Sequence, residues 1–508
     1  MPERPVFTRI RFVPVHMRVS VLIFVCLLPG VVNGWAQQPS LRSEIRPASS
    51  DSLSLQAAIA RAQSESPAAA SARLAYRSDE AQFNATQAAY LPSLALTGSA
   101  PGLERSITDV VQDDGSVRYV EQSRTFSRAN LSLEQVLPWT GTEINVRSGL
   151  SRVNQFGDRA NFQQWQTSPF SIGLEQPLFQ YNSDRWGRRL APLQLEVANK
   201  TLNEDLARVA VTTADRYFAL YIAQINAEIA DFNVAVNDTI YTLSQGRFDI
   251  GRIAENELLQ TELELLNAKT ARQEAQIELE QARQALQRTL GREARSLAHA
   301  RPPEKLPPVE ISPDVAVERA RSRRPDFAEL ERGMVLAQSD VAEAKGRTGF
   351  SATLIARYGL NQSAPSLDDA YRNPLDQQQF GISFRMPLYR WGRGSEGVEA
   401  AEAELERTRI DNERKREELE DEVYFQVLRV KQLRDQVQTA ERAATVARRR
   451  FEVSRNRYTV GKISITDLFN AQREKDQARR AYAQTLRNFW VEYYTLRRLT
   501  LSDLAMQN

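Results

Sequence analysis

Arg247-Phe248-Asp249-Ile250-Gly251-Arg252-Ile253 returns later in the chain as Arg457-Tyr458-Thr459-Val460-Gly461-Lys462-Ile463, and Gln176-Pro177-Leu178-Phe179 returns as Met386-Pro387-Leu388-Tyr389. Both pairs keep one spacing of 210 (461 − 251 and 387 − 177). Two independent motifs in one register mark the duplication of a whole half-protein, not a stack of short solenoid units. Each half begins β-rich and continues as a long, charged, helical stretch. The expected fold class is therefore mixed α/β with two internal structural repeats.

The N-terminus points to export. Arg4, Arg9, Arg11 and Arg18 precede an apolar run from Val19 to Val32, and Gly34-Trp35-Ala36 follows with small residues at both ends. That order is the pattern of a cleavable secretory signal over residues 1–36. The run contains Pro29 and is too short to span a bilayer as a helix. Cys26, the only cysteine, lies inside it behind Ile23-Phe24-Val25, without the small residue expected before a lipidated cysteine. The exported chain is then no lipoprotein and carries neither disulfide nor thiol chemistry.

Composition closes off several functions. Removing residues 1–36 takes four of 66 basic and one of 64 acidic side chains, leaving 62 against 63. So balanced a chain gives no electrostatic footprint for nucleic acid. Of the two histidines, His16 leaves with the signal and His299 stands beside a proline-rich linker at 300–312. Zinc sites built from His and Cys are thereby excluded by supply. No phosphate-binding glycine loop, GxSxG elbow or HExxH is present, and the carboxylates are interleaved with Lys and Arg as on a solvated helix face. No catalytic residue, cofactor or metal site is expected, and the protein reads as no enzyme.

From about Ser183 to Gln245, and again from about Ser395 to Asn456, Gly and Pro almost vanish. Runs of about 60 residues extend roughly 90 Å at 1.5 Å per residue. Small and apolar residues recur at three- and four-residue steps, as in Leu258, Leu259, Thr261, Leu263, Leu265, Leu266 and Ala268, so the helices should pack side by side as coiled coils. Each long helix reaches a short break at Gly251 or Gly461. The reading is two helical hairpins, 183–290 with its tip at 247–257 and 395–500 with its tip at 457–467.

Between the helices lie strands of period two. Phe380, Ile382, Phe384, Met386 and Leu388 alternate with Gly381, Ser383 and Arg385; Phe170, Ile172, Leu174 and Leu178 alternate with Ser171, Gly173 and Glu175. A soluble antiparallel sheet gives the same pattern. Export and the aromatics gathered near strand ends (Trp139, Trp165, Tyr181, Trp186, Tyr389, Trp391) favour an outer-membrane barrel, whose chain is hydrophilic on average because only alternate residues meet lipid. The strands are too few for one chain to close a pore, so several must contribute.

Taken as a set, these features resemble the TolC family of outer-membrane efflux proteins over nearly all of the exported sequence. The resemblance is carried by Ser54-Leu55-Gln56-Ala57-Ala58-Ile59-Ala60-Arg61-Ala62 with Pro67, Leu91-Pro92-Ser93-Leu94, Gln176-Pro177-Leu178 and both tip motifs. The second copy keeps Ala316, Arg319, Ala320 and Pro325 but has Phe350 where the first has Pro92. The resemblance implies a homotrimer: three protomers close one β-barrel in the outer membrane of a Gram-negative bacterium and one coiled-coil helical tunnel reaching into the periplasm. Its implied partners are outer-membrane lipid, a periplasmic adaptor protein and an inner-membrane pump. Together they form an efflux or type I secretion duct through which substrate passes passively.

The first copy departs from the family pattern. Pro67 and Pro325 are 258 apart, against 210 for Pro177 and Pro387, so the first repeat (37–299) carries 48 more residues than the second (313–508) before its last strand. With helix 54–90 and strands near 93–99, 125–137, 143–153 and 168–179 in the first, and helix 313–345 and strands near 351–360 and 379–389 in the second, the insert reads as an added β-hairpin turning at Trp139-Thr140-Gly141. The trimer would then close with eighteen strands where the family usually has twelve; an accessory hairpin folded over the barrel mouth fits the same pattern.

The resemblance also places the functional residues. Gly251, Arg252, Ile253, Gly461, Lys462 and Ile463 stand at the adaptor-docking tips. Asp467 stands where the family has an acidic ring constricting the periplasmic gate, and threefold symmetry would make its carboxylates attract cations and raise one another's pKa. Asn470 replaces a second ring aspartate, Glu257 is the acidic position of the first copy, and Tyr458 the aromatic one. Ile463 replaces an arginine that latches the closed tunnel, a role that Lys462 or Arg252 could take over. Two other classes fit parts of the pattern: a periplasmic adaptor, which has one hairpin per chain and usually an inner-membrane tether, and a structural coiled-coil protein, which lacks amphipathic strands. The transported substrate is not written in the sequence.

Overall fold

In the computed structural model, which describes residues 52–156, 162–291 and 299–502, the chain enters through β1 (Ser52–Ser54), α1 (Leu55–Glu65) and α2 (Pro67–Ala88). Four strands follow, β2 (Ser93–Val111), β3 (Val117–Leu137), β4 (Thr142–Phe156) and β5 (Phe162–Leu178), then the hairpin of α3 (Ser183–Asp249) and α4 (Glu255–Leu290). After β6 (His299–Arg301) come α5 (Pro313–Arg323), α6 (Pro325–Thr348), β7 (Ser351–Ala364), β8 (Leu375–Arg385) and a second hairpin of α7 (Arg393–Thr459) and α8 (Ile465–Thr500). The signal segment read at 1–36 lies outside the described residues. Both long helices have 67 residues and both return helices 36.

The stretches 54–90 and 313–345, each read as one helix, are each two. Pro67 and Pro325 have no N–H for the preceding turn and push Ser66 and Arg324 into extended backbone (ψ 149 and 142). Ser66 then caps the new helix, its side chain accepting from the Ala69 amide at 3.1 Å. The strands also differ from the sequence reading. The first two run on to Val111 and back to Val117, joined at Gly115 (φ 80), while the last ends at Arg385.

The six longer strands form one sheet in the order β2-β3-β4-β5-β7-β8, antiparallel throughout, and the added hairpin supplies its second and third strands. Its turn lies at the helical end of the sheet, where the Asn182 side-chain amide at the start of α3 donates to the Pro138 carbonyl at 3.0 Å. Cross-strand register sorts the faces. Leu94, Leu133, Val146, Ile172 and Tyr358 fall in one row, and Ser93, Glu134, Asn145, Gly173, Arg357 and Gln379 in the next, on the opposite face. A bulge between Ser99 and Gly102 adds one residue to β2 and returns Leu103 and Ile107 to the apolar side. β2 and β8 are the edges, each paired on one side only.

Among the helices, α3 packs on α4, α8, α2 and α6, and α7 on α8, α6 and α5. The largest core lies where the opening helices cross the hairpins. Tyr217, Phe218, Leu286, Phe489, Trp490 and Leu496 are buried there, with β1 and β6 paired in parallel alongside. The Tyr217 hydroxyl, sealed in that core, donates to the Leu53 carbonyl at 2.8 Å. No described helix is long and apolar enough to cross a membrane.

Candidate functional site

The two hairpin tips are built alike. Helix α3 ends with the Gly251 amide bonded to the Phe248 carbonyl and the Arg252 amide to the Arg247 carbonyl, both at 2.8 Å; at the end of α7, Gly461 bonds Tyr458 at 2.8 Å and Lys462 bonds Arg457 at 2.9 Å. This paired closure needs a left-handed residue. Gly251 (φ 72) and Gly461 (φ 76) supply it, and since a Cβ at either would meet open space, the backbone angle and not crowding selects glycine.

The return helices start differently. Ser464 caps α8 by accepting from the Asp467 amide at 3.2 Å, while Asp467 accepts from the Ser464 hydroxyl at 2.8 Å and amide at 3.4 Å, a reciprocal box. Ala254 caps α4 without a side-chain bond. Asp467 is thus an exposed carboxylate held in one orientation. It lines a groove of about 840 Å³ between α7 and α8 together with Arg457, Ile463, Asn470 and Arg473. Asn470 accepts from Arg473 at 2.5 Å. Glu257 is exposed in the first turn of α4. Within the chain, Asp467, Asn470 and Ile463 share the groove, while Tyr458 faces α3 instead.

Tyr458 is buried, its hydroxyl 3.2 Å from Ser244 Oγ on α3. Beside it, Arg247 donates to the Tyr458 and Thr459 carbonyls at 3.3 and 3.0 Å, and its guanidinium carbon stands 5.1 Å from the centre of the Tyr458 ring. Arg247 therefore ties the end of α3 to the end of α7. The side chains of Lys462 and Arg252, suggested for such a role, make no hydrogen bond or ion pair with a described residue. Arg247 stands in the quoted tip motif, but nothing in that motif tells it from Arg457, which makes no such bond.

Above the tip runs a polar seam that the helical periodicity did not reveal. Gln472 donates to Asn237 at 3.3 Å, Asn237 to the Glu264 carbonyl at 3.1 Å, and Asn233 to Asp476 at 2.7 Å. Lys475 pairs with Asp476 at 2.9 Å and lies 4.1 and 4.7 Å over Phe232 and Phe451. Burial holds the Lys475 ammonium below an ordinary lysine pKa, and the Asp476 carboxylate offsets part of that shift. Among the described residues no cluster of His, Cys, Asp and Glu could hold a metal ion.

Comparison with known proteins gives a consistent picture. The model of the family described as outer membrane efflux protein matches residues 58–292 and 316–500. The structure is similar to the Campylobacter jejuni CmeC outer membrane channel, with a TM-score of 0.64 at 16% identity over 88% of this chain and 85% of that one. It is similar to VceC from Vibrio cholerae (0.63, 15%, 88% and 95%) and to the open state of the Neisseria gonorrhoeae MtrE outer membrane channel (0.56, 15%, 88% and 88%). Identities this low speak for the fold alone. No curated protein matches the chain.

Proposed function

The chain belongs to the outer membrane efflux protein family, and from that premise we propose that three copies form the exit duct of a tripartite efflux or type I secretion system. A cleavable signal peptide sends the chain to the outer membrane, and the hairpin tips meet a periplasmic adaptor that links them to an inner-membrane pump. The sheet carries the reading: six strands, one apolar and one polar face, and edges at β2 and β8 paired on one side only. An open edge is a template for another chain. Contacts of β2 with the next copy's β8, repeated head to tail, close into a ring, and three copies of six strands make a barrel of eighteen. Exposed apolar residues on α4 (Leu259, Leu263, Leu266, Ile277) and α7 (Phe425, Val446, Val453) support a second, helical interface between copies.

Transport needs no bond to be broken. The pump supplies energy, and the tips open where partner contacts favour a dilated arrangement over the closed one. Three Asp467 carboxylates around the axis form a cation-attracting constriction, a single ring because Asn470 replaces the second acid. Glu257 and Tyr458 flank it. The tie from Arg247 to α7 takes the part of the latch that Ile463 lacks. Gly251, Arg252, Ile253, Gly461, Lys462 and Ile463 offer the docking surface.

The gate is tested by Asp467→Asn in planar bilayers: reduced cation selectivity and relief of multivalent-cation block are expected, and unchanged single-channel behaviour would remove Asp467 from the constriction. Disrupting Gly461 and Lys462 together should weaken adaptor docking in trimers that still form. Normal export from that variant would place docking elsewhere.

A further inference from the structure

The polar face of the sheet is unevenly charged, and register locates every charge on it. The added strands β3 and β4 bring Arg118, Arg124, Arg128 and Arg147 to this face against Glu134 and Glu143. The remaining four strands bring Arg357 and Arg385 against Glu104 and Glu175. Four strands alone would be neutral, two of each sign; the hairpin adds four arginines against two glutamates and contributes the whole surplus of two positive charges per chain.

Ion pairs hold two of these six arginines. Arg124 is tied to Glu104 at 2.7 Å and Arg147 to Glu134 at 3.2 Å, whereas Arg118, Arg128, Arg357 and Arg385 are exposed and make no ion pair with a described residue. Arg357 lies in the row of Glu134, and Arg147 in the next same-face row, about 6.6 Å further along. Arg128 lies two such rows beyond Arg147. Gly173, between Asn145 and Arg357 in its row, has no room for a side chain: a Cβ there would stand 2.6 Å from Asn145 Oδ1. The Asn145 side-chain amide therefore lies over Gly173. Glu143 and Glu175 face each other one same-face row nearer the helices than Arg357, and Arg385 lies two such rows beyond them.

We infer that this band, set mainly by the added hairpin, is a binding site for anions inside the barrel, fitted to solutes bearing phosphate, sulfonate or carboxylate groups. The inference rests on the duct reading, which makes the polar face a lumen. Guanidinium groups suit such oxyanions through paired N–H donors. Across a wide aqueous lumen the field is screened within about 10 Å at 0.1 M salt, so the band acts on solutes that touch the wall.

Tripolyphosphate tests this on trimers in planar bilayers at low salt. Added on the barrel side, it should block the wild-type conductance. The Arg128→Gln/Arg357→Gln double variant, which leaves no carboxylate without its partner, should need about tenfold more of it. Lys305→Gln, at an exposed linker position, should leave barrel-side block unchanged. Absence of barrel-side block in the wild type, equal block in the double variant, or an equally large effect of Lys305→Gln overturns the band. Absence of any conductance, by contrast, sinks the duct reading itself and the band with it.

Discussion

Helices α3 and α8 pass through two regions that are packed in contrasting ways. Where they cross α1 and α5, Tyr217, Phe218, Phe489, Trp490 and Tyr494 are buried, with Phe218 stacked on Trp490 at 6.3 Å and Phe489 set edge-on to it at 5.7 Å. At the tips the buried cluster shrinks to Ile240, Phe451, Tyr458, Ile465, Leu468, Phe469 and Ala471, and side-chain hydrogen bonds take over the joining of α3 to its neighbours. Apolar burial resists motion in proportion to area; a few directed bonds between otherwise solvated helix ends break with far less work. The contrast assigns rigidity to the middle of the molecule and mobility to the tips.

Substitutions can break that comparison. Phe489→Ala should cost about 3–5 kcal/mol, the ordinary loss for a large buried aromatic, and lower the unfolding temperature of the whole protein; a tip-sized effect would remove the distinction. Gly461→Ala should cost about 1–2 kcal/mol through its left-handed angle, lost locally and seen as faster amide exchange at 457–467 with little change in global melting. Arg247→Gln should cost about 1 kcal/mol or less, since the side chain is only half-buried, yet raise the open probability of single channels several-fold. A stability loss with unchanged gating would make Arg247 a mere cap.

The smallest effect concerns Lys475. Its folded pKa lies below the value of about 10.4 for an unfolded lysine, so the ammonium is penalised in the fold, and stability should rise as pH climbs from the folded pKa towards the unfolded one. Lys475→Met should abolish that rise in a melting series at alkaline pH. A rise of equal size in the variant would show that burial of Lys475 is not its source.

The sequence made some of this legible and hid the rest for physical reasons. Gly251 and Gly461 announce the tips because only a left-handed residue closes such helix ends. The alternation of Phe380, Ile382 and Phe384 against Gly381 and Ser383 announces the sheet. The outer halves of β2 and β3 escape because the bulge at Ser99–Gly102 shifts the alternation by one residue, and because Glu104, Arg105, Glu121 and Arg124 read as loop until cross-strand ion pairs are seen. Pro67 and Pro325 were visible, but their consequence depends on whether the helix restarts, which Ser66 decides for the first by capping. Arg247 could not be singled out, because its partners are carbonyls more than two hundred residues away.

The central claim is best tested by electron cryomicroscopy of the detergent-extracted protein from outer membranes, counting strands around the barrel. The account predicts a trimer with eighteen strands, residues 117–156 in the barrel wall and a helical tube continuing from it. A twelve-stranded wall with that hairpin outside it, or a monomer without a closed barrel, would contradict the account.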